Sequence, residues 1–293
     1  MTAIAARLSA RGTRALYDRT QSRGCREVDT MALFFGMKFK GRQFLLLSFF
    51  LAVFFLLPTA GYSQQQNFRV LAFYTDKGEP DHIEFAKQAL TFYGALAKKE
   101  HFALKATTHW EELNAEQLTG VRLVIWLNDF PKTPEQRGAF EKYMKNGGRW
   151  LGFHVSAYND ADTGWPWFLG FLGGGVFYGN NWPPLSAKLI VEDRKHPVTR
   201  RLGAVLESPP NEWYLWKPSP RANKDVKVLV TLAPENYPIG LKDTIASGDL
   251  PVVWTNVKYR MLYVNMGHGD KIFASNEQNK LLEDAVLWLG LGE

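Results

Sequence analysis

Three of the six histidines in this chain, His82, His154 and His268, stand at or shortly after apolar runs that read as β-strands. In an open parallel sheet, ligands bind outside the carboxyl ends of the strands, so these are positions where an imidazole could do chemistry. His154 ends the run Arg149–His154, where it could act as a general acid/base or a ligand. His268 lies between Gly267 and Gly269, and the two small neighbours let a substrate approach closely. Glu212 sits in Asn211-Glu212-Trp213-Tyr214, where aromatic surroundings would raise a carboxyl pKa. His154, Glu212 and His268 are the expected catalytic groups. His82, Asn128, Asp129, Trp165, Trp167 and Tyr214 are the expected substrate contacts. His82, His154 and His268, with Glu212, would also make a zinc-type ligand set, although no local motif such as H-E-x-x-H marks one. The pattern suggests no other cofactor.

These residues need a frame. Arg69–Tyr74, Ala103–Thr107, Val121–Leu127 and Arg149–His154 read as strands. Between them, Ile83–Lys99 carries apolar residues at helical spacing, with Asp81 as the expected N-cap and Glu84 three residues later. A second helix is expected from Thr133, with Pro134 in its first turn, and it stops at Asn146-Gly147-Gly148. Strands alternating with helices imply right-handed crossovers and a mainly parallel sheet. Further strands are expected at Ala187–Val191, Val226–Thr231, Pro251–Val257 and Met261–Met266, the last two as a hairpin. A closing helix is expected over Leu281–Leu289. Asp160–Pro184 reads as a long aromatic loop roofing the site. Sugar rings stack their apolar faces on such aromatics, and packing of a lid over the sheet is the alternative reading.

Composition narrows the classes. Nine Lys/Arg but only three Asp/Glu lie in residues 1–63, which accounts for the whole net charge of +6. The remainder is balanced and gives no argument for nucleic acid. The single cysteine, Cys25, also lies in that segment, so residues 64–293 can carry no disulfide, thiolate metal site or cysteine nucleophile. Residues 37–63 read as a signal peptide: Lys38, Lys40 and Arg42 precede the apolar run Phe44–Leu57, followed by Pro58, Gly61 and Ser63. The run is shorter than the roughly 20 residues that span a bilayer. The expected protein is therefore periplasmic or secreted, meets the membrane only during export, and begins near Gln64. Residues 1–36 are expected to be a non-native or disordered extension. The roughly 230 residues that follow the signal can bury one core.

Asn128-Asp129, the run GGRWLGFHVS over Gly147–Ser156, Trp165-Pro166-Trp167, the run VEDRKHP from Val191, Asn211-Glu212-Trp213-Tyr214 and Gly267-His268-Gly269 occur in an order and spacing that resembles the ThuA-like (trehalose utilisation) family. The resemblance covers roughly residues 69–291. It implies a flavodoxin-like α/β sandwich similar to class I glutamine amidotransferases, and a role with carbohydrates, in some members near oxidised (3-keto) sugars. The family's usual Phe-Arg-His-type run is here Gly78-Glu79-Pro80-Asp81-His82, with no arginine. Where amidotransferases carry a nucleophilic cysteine, the turn here carries His154, so thiolate glutaminase chemistry is excluded. Two functional readings stay open: acid/base chemistry on a carbohydrate or oxidised sugar, and a non-catalytic carbohydrate-binding or interaction module of the same fold.

Overall fold

The computed structural model describes residues 67–160, 162–236 and 250–292, all within one compact unit, Tyr62–Glu293. The signal-peptide and extension readings, residues 1–63, lie outside the described residues. No described helix is long and apolar enough to cross a membrane.

The first half follows the strand–helix alternation. β1 (Arg69–Tyr74), α1 (Pro80–Glu100), β2 (Ala103–Thr107), a short α2 (Ala115–Leu118), β3 (Leu123–Leu127), α3 (Pro134–Lys145) and β4 (Arg149–Phe153) succeed one another. β1, β3 and β4 are parallel neighbours, with Phe73 beside Trp126 and Trp126 beside Gly152. Alternate residues serve opposite faces. Val70, Ala72, Ile125 and Leu151 pack toward the core that holds α1, whereas Leu71, Phe73, Trp126 and Trp150 pack toward the one that holds α3.

Helix starts follow local chemistry. Thr133 and Gln136 form the expected capping box on α3. The box expected at Asp81 does not form: α1 begins at Pro80, three residues before Ile83, with Glu79 rather than Asp81 at the N-cap and no side-chain cap. Proline at the first helical position has its φ already set for helix, and this moves Asp81 and His82 into the first turn.

The chain continues through α4 (Pro166–Leu172), β5 (Val176–Asn180), β6 (Leu185–Val191), β7 (Val205–Asn211), β8 (Tyr214–Lys217), β9 (Val226–Leu232), β10 (Pro251–Asn256), β11 (Arg260–Val264) and α5 (Asn276–Leu291). The nine-stranded sheet runs β2-β1-β3-β4-β11-β10-β9-β6-β7, and only β10 and β6 oppose the common direction. The expected hairpin is β10–β11. β5 and β8 form a separate two-stranded sheet. Asp160–Pro184 is thus not one long loop: it contains α4, buried through Phe168, Phe171 and Leu172, and then β5. β7 was not expected as a strand because it holds Pro209 and Pro210, and it survives as one because it is the sheet's edge.

Candidate functional site

At the carboxyl ends of β4, β3 and β11 the chain makes three abrupt departures. β4 ends at Phe153, one residue before the expected end, and His154 takes a left-handed backbone with φ of 46°. Asn128, which follows β3, is also left-handed, with φ of 55°. Such conformations are uncommon for residues with a side chain, and here they turn two neighbouring strands away at the same edge. After β11, Gly267 passes so close that a Cβ on it would stand 2.6 Å from the His154 Cβ.

Three imidazoles converge there. Their ring centroids are 5.2 Å (His82–His154), 5.0 Å (His82–His268) and 5.6 Å (His154–His268) apart. His82 comes from the first turn of α1, His154 from the end of β4 and His268 from the loop after β11. The corner between β7 and β8 supplies Glu212, whose Oε2 lies 3.3 Å from His154 Nε2 and 3.4 Å from His268 Nδ1. His154, Glu212 and His268 are buried, and Tyr214 lays its ring against His154 at 4.0 Å between centroids.

The electrostatics follow from burial. His82 is pushed down to about 3, first by desolvation and then by the neighbouring His154 and His268. His154 is held well below the ordinary histidine value for the same leading reason, with His268 adding to it. Desolvation raises Glu212, against the pull of His268 and His82. At neutral pH, then, His82 and His154 are uncharged, and burial makes the Glu212 carboxyl hold a proton more readily than a free glutamate does.

Amides fix the frame. Asn128 donates to the carbonyl of Gly267 at 2.6 Å and to that of His82 at 3.4 Å. Asn211 Oδ1 accepts from the backbone N–H of both Gly267 and His268 at 3.0 Å. Asn265 accepts from the Tyr214 N–H at 2.8 Å and donates to the Glu212 carbonyl at 2.8 Å. Asn181 accepts from the Trp213 N–H at 2.6 Å and donates to the Asn211 carbonyl at 3.2 Å. Sequence reasoning did not single out Asn181, Asn211 or Asn265, because an amide in a loop carries no pattern of its own.

Of the expected substrate contacts, His82, Asn128 and Tyr214 gather at this cluster. Asp129 instead pairs with Lys132 at 2.9 Å. Trp165 and Trp167 take packed positions. The Trp165 ring stacks on Phe168 at 4.5 Å, and that of Trp167 on Phe171 at 5.1 Å. Trp167 also meets Tyr259, in the turn before β11 and so at the opposite end of the sheet. The exposed aromatic beside the histidines is Trp182, 67 % exposed and 6.4 Å from the His268 ring. Four ligand atoms, one each from His82, His154, Glu212 and His268, lie within 4.8 Å of one another and could hold a metal ion.

A mainly parallel sheet between helical layers, with a sharply turning histidine at the end of β4, defines an α/β sandwich with its candidate site at the carboxyl edge. The chain belongs to the ThuA family, described as trehalose utilisation, whose model matches residues 69–289. A ThuA-like protein from Bacteroides uniformis is 49 % identical, with 79 % of this chain and 94 % of that one covered and a TM-score of 0.74. A second, from Parabacteroides merdae, is 16 % identical, covers 77 % and 91 % of the two chains with a TM-score of 0.56, and shows the fold alone. No curated protein sequence gives a significant match.

Proposed function

We propose that this chain is an exported enzyme that acts on a carbohydrate or oxidised sugar derivative by acid/base chemistry at the cluster of His154, Glu212 and His268. The observation that carries the reading is the contact of one carboxylate oxygen, Glu212 Oε2, with two buried imidazoles at 3.3 and 3.4 Å. A structural role alone does not call for two imidazoles and a carboxyl group buried together beside a third, half-buried imidazole, because each loses hydration there. Titratable groups perturbed by burial and by one another, at the carboxyl edge of a parallel sheet, are the usual signature of a reactive centre.

Glu212, raised by desolvation, is the proton carrier, and His154, uncharged and held by Asn265, is its hydrogen-bonding partner. The family's link to trehalose utilisation favours a sugar, and Trp182 offers a face for its ring. The export part rests on the apolar run Phe44–Leu57 with its basic flank. Mass analysis of the exported protein should find its N-terminus near Gln64, and retention of Phe44–Leu57 would count against export.

The exposed Trp182 also favours a second reading, a non-catalytic sugar-binding module. A panel of ordinary and 3-keto glycosides separates the two. His154→Ala should lose turnover by roughly 10²-fold or more while ligand binding persists. If no member of the panel is turned over and the variant merely binds more weakly, the module reading replaces the enzyme.

A further inference from the structure

We infer that His82, His154, His268 and Glu212 bind one divalent metal ion of the zinc class. The inference rests on the reading that this cluster is the reactive centre, and it names what organises that centre.

A neutral imidazole has one N–H and one lone pair, and the partner of one nitrogen decides which the other carries. His82 Nδ1 faces Glu79 Oε2 at 3.1 Å. His154 Nδ1 faces the Asn265 carbonyl at 3.0 Å. The Asn265 amide nitrogen has two N–H groups, gives one to the Glu212 carbonyl at 2.8 Å and also lies 3.1 Å from that Nδ1, so Nδ1 has both an acceptor and a donor on Asn265. His268 Nε2 lies 3.1 Å from Asp81 Oδ2, an ion-pair contact rather than an aligned hydrogen bond. His82 and His154 thus each have an outward acceptor within reach of Nδ1, whereas His268 Nε2 makes no hydrogen bond. Turned inward are His82 Nε2, His154 Nε2 and His268 Nδ1, together with Glu212 Oε2.

These four ligand atoms all lie within 4.8 Å of one another. The closest pairs are His82 Nε2 to His268 Nδ1 at 3.2 Å, His154 Nε2 to Glu212 Oε2 at 3.3 Å and His268 Nδ1 to Glu212 Oε2 at 3.4 Å. A proton would relieve one of these contacts, whereas a cation at the centre relieves all of them. Bonds of about 2.0–2.1 Å arranged tetrahedrally space the ligands about 3.3 Å apart, which is the spacing of these pairs.

The donor set selects the ion. Three imidazoles and one carboxylate suit zinc and its transition-metal neighbours, whereas magnesium and calcium prefer oxygen throughout. The outward partners, Glu79, Asp81 and the Asn265 carbonyl, are the kind of groups that orient metal-bound histidines. When bound, the ion would supply Lewis acidity toward a sugar oxygen. The four side chains then serve as ligands, and the acid/base roles given above describe the metal-free cluster.

The test uses the protein purified without an affinity tag, stripped with a chelator and titrated calorimetrically with zinc chloride, with magnesium chloride as the comparison. Zinc should bind with one ion per chain and raise the melting temperature, and magnesium should do neither. The double variant His82→Ala/His268→Ala should lose at least 100-fold in zinc affinity. Asp81→Ala should lose about 10-fold, the scale of an outer-shell partner. His109→Ala, on an exposed histidine outside the cluster, should bind as the wild type does. Absence of saturable zinc, or a double variant that folds and binds like the wild type, overturns the inference. If zinc binds but no glycoside is turned over, the metal site stands and the enzymatic reading fails. If glycosides are turned over by stripped protein that binds no zinc, the metal falls and the acid/base reading stands.

Discussion

Around His154, seven polar side chains are buried at one edge of the sheet: His154, Glu212, His268, Asn128, Asn181, Asn211 and Asn265. Around Trp150, under α3 and α4, a comparable volume is filled by Trp126, Trp165, Phe140, Phe168 and Phe171. The second region is held by ring contacts such as Trp126–Phe140 at 4.3 Å and Trp150–Phe171 at 5.3 Å between centroids. Each of those rings gains by leaving water. In the first region every group loses hydration, and the amides only restore part of what was lost. Burial by itself therefore says little about function. Burial of groups that resist it, at a strand edge, says a good deal.

The sharpest way to break this contrast is to damage the aromatic side. Trp150→Ala should cost about 3–5 kcal/mol of stability, the usual range for emptying a large buried aromatic. Chemical denaturation would measure it. A loss under 1 kcal/mol would mean that the rings are not what holds this face together.

Acid should act on the polar side. In chelator-treated protein His82 titrates at about 3 when folded, against 6.5 when free. The unfolded chain therefore binds the proton first, and stability present above pH 6.5 is lost as the pH falls toward 3. Between pH 6.5 and 5 this amounts to about 2 kcal/mol for His82, with His154 adding in the same direction. His196, held at about 4 by burial away from the cluster, contributes similarly. Melting temperatures across that range should fall, and less steeply in His82→Asn. An equal slope in the variant would show that His82 is not held neutral by its surroundings.

A smaller effect is expected at Gly267. Its substitution by alanine sets a methyl group 2.6 Å from the His154 Cβ and 3.1 Å from Asn128 Oδ1. The two loops must part by roughly 0.8 Å to restore ordinary contact, at a cost of about 1–3 kcal/mol. Turnover or ligand affinity should fall by about tenfold, the equivalent of 1.4 kcal/mol. Unchanged function with unchanged stability would mean that the approach of the two loops is not what sets the histidines in place.

The parallel half of the fold was legible because β1, β3 and β4 are unbroken apolar runs, as strands covered on both faces must be. β7 was hidden by its prolines, and β5 by the glycines on either side of Val176-Phe177-Tyr178. At the site, the strand-end rule found His154 and His268, and the Asn-Glu-Trp-Tyr run found Glu212. Asn181 and Asn265 escaped because their roles depend on partners far along the chain. Trp165 and Trp167 were ambiguous because a tryptophan in a glycine-rich stretch reads equally as binding surface or as packing. The available signal was the spacing Trp165, Phe168, Leu172, which is that of a buried helix face.

His82 and His268 touch although 186 positions separate them in the chain, and Glu212 lies 58 positions beyond His154. No fragment short of the whole domain brings these side chains together, so the site is among the last features a folding chain can complete. A molecule or ion held by all of them joins α1, the ends of β4 and β11 and the β7–β8 corner. Its occupancy is thereby linked to the cooperative unfolding of the entire domain, and protection from proteolysis should extend to loops that it never touches.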